Sequence, residues 1–310
     1  MHVFSGENIN SVYLSALKVI RSESHLTTDS RVGKVFDLGP AYFEFKNASD
    51  QFLTLRNRNY NPYFAIIEAA WILSGQNTLE ELNKIIQGYD KYSDDGYSLN
   101  GAYGYRIKKY FDKDQIESVT KLLSSEPNSR RAVITLYSTD DLDNNLSRDI
   151  PCNISICLKI RNKCLDITIL NRSNDIFLGI PYNVFVFNIL QRHIAKILNV
   201  PVGIQRHFTD SLHLYERDFV RTDEIIQTNS QEEIDSWQTA PSANYIYECI
   251  IQEFSKISNS DFDSIISKEV RDILHNYWNL KNGGDKLDFI AKLPYDNFGI
   301  SSKLWAESRK

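Results

Sequence analysis

Ile154-Ser155-Ile156-Cys157-Leu158-Lys159-Ile160, then Arg161-Asn162-Lys163, then Cys164-Leu165-Asp166-Ile167-Thr168-Ile169 is the stretch from which the rest of the chain can be read. Apolar residues fill every second position on both sides of a short polar turn. That is the period of strands with one face buried, so the stretch predicts a β-hairpin. Pro151-Cys152 leads into it, and strict alternation puts Cys152 on the face of Ile154 and Ile156.

Downstream of the hairpin, Asn183 to Leu198 has helical length, with Asn183 able to start it, and Gln205 to Tyr215 reads as extended. Upstream, Val12, Leu14, Leu17 and Ile20 mark a helix over Ser11 to Ser22, and Val35 to Phe45 reads as a strand. Pro62 to Leu73 reads as a buried helix with Glu68 set among apolar neighbours. Asp114 to Leu123 predicts another helix and Ala132 to Tyr137 a strand. Past Thr222 the character changes: Asp223 to Gln231 is polar, while Tyr245 to Ile257 and Asp263 to Leu280 read as amphipathic helices. This order fits an α+β protein, a large mixed β-sheet packed by helices, better than a regular βαβ alternation.

The 310 residues are 42% apolar and 24% charged, ordinary for a globular protein. A net charge of −5 argues against coating nucleic acid, so no direct nucleic acid binding is expected. A small anion could still be held by a few arginines. No apolar run approaches the roughly 20 residues of a membrane span, and Met1 to Tyr13 has no secretory pattern. Four cysteines with neither CxxC pairs nor a disulfide-dense pattern suggest a cytoplasmic setting and no metal.

Cys152 is by default a buried structural thiol, and a nucleophilic role needs a cation beside it. Arg130-Arg131 and Arg172-Ser173 are solvated turn residues or, alternatively, a guanidinium fork and hydroxyl suited to a phosphate. There is no P-loop and no dinucleotide glycine motif, and Gly101-Ala102-Tyr103-Gly104 marks a turn. Asn183 is either a helix N-cap or a base reader, since a carboxamide can donate to O4 and accept from N3–H of uracil. His213 and Tyr215, two apart on a strand, face one side and either lie on the surface or bond a sugar hydroxyl.

Ser129-Arg130-Arg131, Pro151-Cys152, Asn171-Arg172-Ser173-Asn174-Asp175, Leu178-Gly179-Ile180-Pro181-Tyr182-Asn183 and His213-Leu214-Tyr215 occur in this order. With Ser30-Arg31-Val32-Gly33, Glu68 and Trp71 upstream, the set resembles the thymidylate synthase family, which includes pyrimidine nucleotide hydroxymethylases. The resemblance implies a catalytic core over residues 1–222, with 223–310 a divergent, mostly helical region packed on it. It implies a pyrimidine nucleoside monophosphate as substrate and 5,10-methylenetetrahydrofolate as co-substrate. In that family's scheme Cys152 adds to C6 of the base, and Arg172 favours its thiolate. Arg31, Arg172 and Ser173 hold the 5′-phosphate, with Arg130 and Arg131 reaching in from the second subunit of a homodimer. Asn183 orients the base, and His213 and Tyr215 the sugar. Glu68 organises water and proton transfer near O4, and Tyr103 assists proton removal from C5. Asp175 contacts the pterin, with Tyr89 and Tyr92 along the same cleft.

Departures from the synthase pattern bear on the product. Tyr89 stands where synthases usually have tryptophan, Asn153 where they commonly have histidine, Cys157 where glutamine is usual, and Ser211 where aspartate is common. Ala306 to Lys310 does not look like the apolar tail that closes a synthase site. These features lean toward hydroxymethylation, and Asn183 toward a uridine-type rather than a cytidine-type nucleotide. The alternatives are a thymidylate synthase making dTMP from dUMP, and a non-catalytic nucleotide-binding protein.

Overall fold

A computed structural model describes the chain except residues 24, 25, 31, 32, 48, 49, 87, 144–146, 231, 233, 235–239 and 310. Its strands are β1 (His2–Gly6), β2 (Leu26–Ser30), β3 (Gly33–Phe45), β4 (Val133–Thr135), β5 (Asn153–Arg161), β6 (Cys164–Asn171), β7 (Asn174–Asp175) and β8 (Val202–Tyr215). All join one eight-stranded sheet in the order β1-β3-β8-β6-β5-β4, with β2 on β3 and β7 on β8. The β1–β3, β6–β8 and β7–β8 pairs are parallel and the others antiparallel, so the sheet is mixed.

The hairpin forms as its alternation requires, with Ile156 opposite Ile169 and Leu158 opposite Ile167. Asn162 and Lys163 make the turn at φ of 51° and 64°, the left-handed region that asparagine tolerates well. At the entrance the alternation fails. A bulge between Asn153 and Ser155 breaks the register, and the Ile154 carbonyl accepts from both Leu136 N and Tyr137 N at 2.9 and 3.1 Å. Ile154 is therefore 39% exposed while Ile156 is buried, so the expected common face of Cys152, Ile154 and Ile156 does not exist. The same double bond ends β4 at Thr135, short of the expected Tyr137.

The helices are α1 (Ile9–Glu23), α2 (Pro62–Leu73), α3 (Glu80–Ile85), α4 (Tyr103–Lys108), α5 (Gln115–Ser125), α6 (Asp140–Asp143), α7 (Gly179–Leu198), α8 (Phe219–Thr228), α9 (Asn244–Ser258), α10 (Lys268–Lys281), α11 (Lys286–Ala291) and α12 (Asn297–Glu307). Asn61 starts α2 by accepting from Tyr63 N and Phe64 N at 3.1 and 3.2 Å, with Pro62 in the first turn. Helix α7 begins at Gly179, so Asn183 lies inside the helix and is not its N-cap. The turn ahead of α7 is made by Asp175, whose Oδ1 accepts from Phe177 N and Leu178 N at 2.7 and 3.2 Å. Helix α10 starts at Lys268 with Ser267 as its cap, later than the expected Asp263, because residues 262–264 form a 3-10 turn. The polar run from Asp223 falls largely within α8, which buries Thr222 and Ile225; residue 231 lies outside the described residues.

The residues after Thr222 share a core with α2. The Tyr63 ring stacks on Tyr277 at 4.3 Å and meets Phe298 and Trp305 at 5.2 and 5.7 Å, while Phe52 packs on Tyr247 at 5.5 Å. Each such ring gains about 4–6 kcal/mol on burial before ordering entropy is subtracted. Helices α9, α10 and α12 thus hold in place the helix that carries Glu68. Among the described residues no helix is long and apolar enough to cross a membrane.

Candidate active site

Cys152 stands one residue before β5, half-buried and outside any disulfide. Its carbonyl accepts from Arg172 N at 3.0 Å, which carries the pairing of β5 with β6 one step past the hairpin's end. The Arg172 guanidinium folds back over the same segment, donating from Nε to the Pro151 carbonyl and from Nη2 to the Ile150 carbonyl, each at 3.1 Å. A fixed cation thus lies along the chain leading to the thiol. Next to it Ser173 Oγ and His213 Nδ1 approach to 3.3 Å, and the His213 ring meets Tyr215 edge-on at 5.3 Å.

Glu68 comes from α2. Its Oε1 accepts from the Tyr89 hydroxyl at 3.5 Å, and its Oε2 is buried with no partner among the described residues. Burial pushes its carboxyl up to about 7, so near pH 7 it is present both with and without its proton. Tyr103 opens α4. Burial first, then the negative charges of Cys152, Asp149 and Glu68, raise its phenol far above the ordinary value, with Arg172 acting in the opposite sense. Those charges act on Tyr103 because Cys152, Asp149, Glu68 and Arg172 all lie near it. Tyr89 belongs there too, its phenol raised by burial and then by Glu68, Tyr103 and Tyr92. Tyr92 packs edge-on against Tyr89 at 5.5 Å and is 39% exposed, at the outer end of the group.

Asp175 sits opposite His213 in the β7–β8 pair, and burial raises its carboxyl while the His213 charge pulls it back. Asn183, in the first turns of α7, turns toward the same strands and donates from Nδ2 to Asn174 Oδ1 at 3.4 Å. Cys152, Arg172, Ser173, His213, Tyr215, Asp175, Asn183, Glu68, Tyr103, Tyr89 and Tyr92 are thus brought to one region. Arg130 and Arg131 are not. Both are exposed on the turn before β4, and Arg131 pairs with Glu126 at 2.8 Å. Arg31 lies outside the described residues.

Other residues help to build the site, and two of them, Asp149 and Arg58, gave no signal in the sequence. Asp149 ties the Cys152 segment to the turn before α4, accepting from Gly101 N at 2.7 Å, while its own carbonyl accepts from Asn100 Nδ2 at 3.1 Å. Arg58 is buried under the β7–α7 turn, donating to the Tyr13 hydroxyl at 3.1 Å and to the Phe177 carbonyl, with its guanidinium 4.4 Å from the Phe177 ring centroid. Ser211 bonds Asp37 on β3 at 2.7 Å, a tie within the sheet. Asn153, Asn171 and Thr209 lie opposite one another on β5, β6 and β8. Both side-chain polar atoms of Asn153, with Asn171 Oδ1 and Thr209 Oγ1, are buried without a partner among the described residues. Four such atoms in one row suit water better than apolar packing. No group of three or more metal-ligating side chains occurs among the described residues.

A mixed sheet with a hairpin that opens on a thiol, and with a buried carboxyl and a phenol nearby, defines a class of α+β proteins organised around a cysteine. The chain belongs to the thymidylate synthase family, whose model, described as Thymidylate synthase, matches residues 11–270. It is 32% identical over 231 residues to a deoxyuridylate hydroxymethyltransferase of Bacillus phage SP01, covering 71% of this chain and 60% of that protein. A deoxyuridylate hydroxymethyltransferase of Pseudomonas phage M6 is 31% identical over 219 residues, 70% of this chain and 62% of its own. Thymidylate synthase 1 of Bacillus amyloliquefaciens is 26% identical over 230 residues, 72% of this chain and 98% of its own. The chain thus spans about 60% of the length of the two phage hydroxymethyltransferases.

Proposed function

We propose that this protein transfers a one-carbon unit from 5,10-methylenetetrahydrofolate to C5 of a uridine-type nucleoside monophosphate, and that water completes the reaction to give a hydroxymethyl group. The observation that carries the reading is that the charges of Cys152, Glu68 and Arg172 all reach the buried Tyr103 phenol. C5 of a pyrimidine is a weak nucleophile. Addition of the Cys152 thiolate at C6 gives C5 enolate character and splits one difficult step into easier ones. Arg172, held over the segment that leads to Cys152, would favour the thiolate, and with Ser173 it would offer a fork and hydroxyl to the 5′-phosphate. Arg130 and Arg131, exposed on this copy, would serve the phosphate of a partner copy in a homodimer.

The folate supplies the carbon at the oxidation level of formaldehyde. Asp175 has one oxygen engaged by backbone amides and the other available to an N–H donor, and Tyr89 and Tyr92 line an aromatic wall, so these residues fit a pterin. Tyr103, whose phenol burial keeps protonated, would assist removal of the C5 proton by a hydrogen bond to the water that accepts it. Glu68, whose carboxyl is pushed up to about 7, is available near pH 7 in both forms, so the protonated form can give a proton at O4 and the carboxylate left behind can then take one from an attacking water.

Water rather than hydride is favoured by the polar row of Asn153, Asn171 and Thr209 beside the thiol, and by tyrosine at position 89. The higher identity to the two phage hydroxymethyltransferases than to the synthase points the same way. Incubation with methylenetetrahydrofolate and each of dUMP, UMP, dCMP and CMP, followed by mass measurement of the nucleotide, tests it. Hydroxymethyl product is expected from a uridine nucleotide; methyl product with dihydrofolate would make the protein a thymidylate synthase instead.

A further inference from the structure

Asn174 is 3% exposed and opposite Leu212 in the β7–β8 pair, in a loop that otherwise points its polar groups at the site. Its Oδ1 accepts from Asn183 Nδ2 at 3.4 Å, while its own Nδ2 is buried with no partner among the described residues. Gly179 makes this contact possible, since a Cβ there would lie 2.4 Å from Asn174 Oδ1 and 3.8 Å from Asn183 Nδ2. The first turn of α7 is thereby open on the side where the two carboxamides meet.

We propose that Asn174 is a positioning residue whose carboxamide can turn together with that of Asn183, so that Asn183 meets either uracil or cytosine while keeping one bond to Asn174. The inference rests on the reading of Asn183 as the base-facing carboxamide. With Asn183 Nδ2 toward Asn174 Oδ1, the second Nδ2 hydrogen and Oδ1 of Asn183 present a donor and an acceptor to the base. That edge matches the O4 acceptor and N3–H donor of uracil. Turning both amides over exchanges the roles: Asn174 Nδ2 donates to Asn183 Oδ1, and the base now meets an acceptor opposite N4–H and a donor opposite N3, the pattern of cytosine. Each arrangement keeps one bond between the asparagines and leaves one atom of Asn174 without a partner. The described surroundings therefore give neither orientation an extra bond, and nothing but the base selects between them. An acceptor-only group at position 174 removes this freedom, because the turned Asn183 would set its Oδ1 against a carboxylate oxygen.

The test is the dissociation constant of dUMP and of dCMP, without folate, for the wild type and for Asn174→Asp in mildly alkaline buffer. Wild type is expected to bind both nucleotides with constants within ~10-fold of each other, the bond count being equal. Asn174→Asp should hold dUMP within ~3-fold of wild type and widen the preference for dUMP by ~10-fold or more, a shift in ratio that a general loosening of the fold does not produce. The wild-type comparison needs no variant to fold. Binding of dUMP with no detectable dCMP binding by wild type, or a ratio unmoved by Asn174→Asp, overturns the inference. Binding of neither nucleotide overturns the proposed function along with it.

Discussion

Gly104 and Ile72 are in backbone contact: a Cβ on Gly104 would lie 2.2 Å from the Ile72 carbonyl oxygen. Helix α4 therefore rests directly on α2, and this approach sets Tyr103 beside the helix that carries Glu68. Alanine at 104 must push the helices apart. Gly104→Ala is expected to cost ~2–3 kcal/mol, as overpacking does, and to reduce turnover more than nucleotide binding. Denaturant unfolding and nucleotide titration of the variant check both halves.

The other anchor of α4 is ionic. Arg106 makes a two-pronged pair with Asp141 at 2.6 and 2.7 Å and donates to the carbonyls of Asn100 and Leu136, with both charged side chains almost fully buried. Burial would raise the Asp141 carboxyl, but bonds from Arg106 and Ser138 N hold it below the ordinary range. Asp141→Ala leaves a buried guanidinium unpaired and is expected to destabilise by ~3–5 kcal/mol. Removing both charges with Arg106→Leu and Asp141→Leu should cost less than that single change. Thermal unfolding of the single and double variants decides it.

Glu68 gives the protein a pH signature. In the unfolded chain it ionises near 4.5, in the folded protein at about 7. Below the lower value both states hold the proton, and Glu68 contributes no pH dependence. Between the two values only the unfolded chain releases it, so stability falls as pH rises, levelling off above 7 at a cost of ~3 kcal/mol. Glu68→Gln should leave the melting temperature nearly unchanged around pH 4 and raise it around pH 8, while losing turnover. Equal effects on melting at the two pH values would contradict the buried, protonated carboxyl.

Cys152→Ala separates a catalyst from a binding protein. Turnover is expected to fall by ~10³-fold or more, with nucleotide affinity changed by no more than several-fold, because phosphate, sugar and base contacts survive. Stability should change little at this half-buried position. A variant that keeps turning over would remove the covalent adduct from the proposed mechanism.

Much of the site could be read before folding because the family's residues sit in short runs whose order survives in the chain. Arg172-Ser173 and His213-Tyr215 lie on or beside strands, where neighbours in sequence remain neighbours in space. The two errors at the site's edge share a cause. Asn183 looked like a cap and Ile154 like a core residue because local rules were applied without the partner strand. The Asp175 turn starts the helix earlier, and the Ile154 bulge absorbs an extra residue. Asp149 and Arg58 gave no warning, since an isolated polar residue carries no period and its meaning depends on a group far away in the chain.

The amino-acid sequence by itself determined the hairpin and the buried helix with its out-of-place carboxylate, which follow from periodicity, and it pointed to the thiol and arginines through the resemblance that their ordered motifs carry. Only the tertiary structure decided that Glu68, Tyr103 and Cys152 face one another, that Asn174 lies against Asn183, and that the last third of the chain packs on α2. Those relations join residues from nine to hundreds of positions apart, and they arise from which surfaces exclude water together, a property of the packed whole that no local pattern encodes.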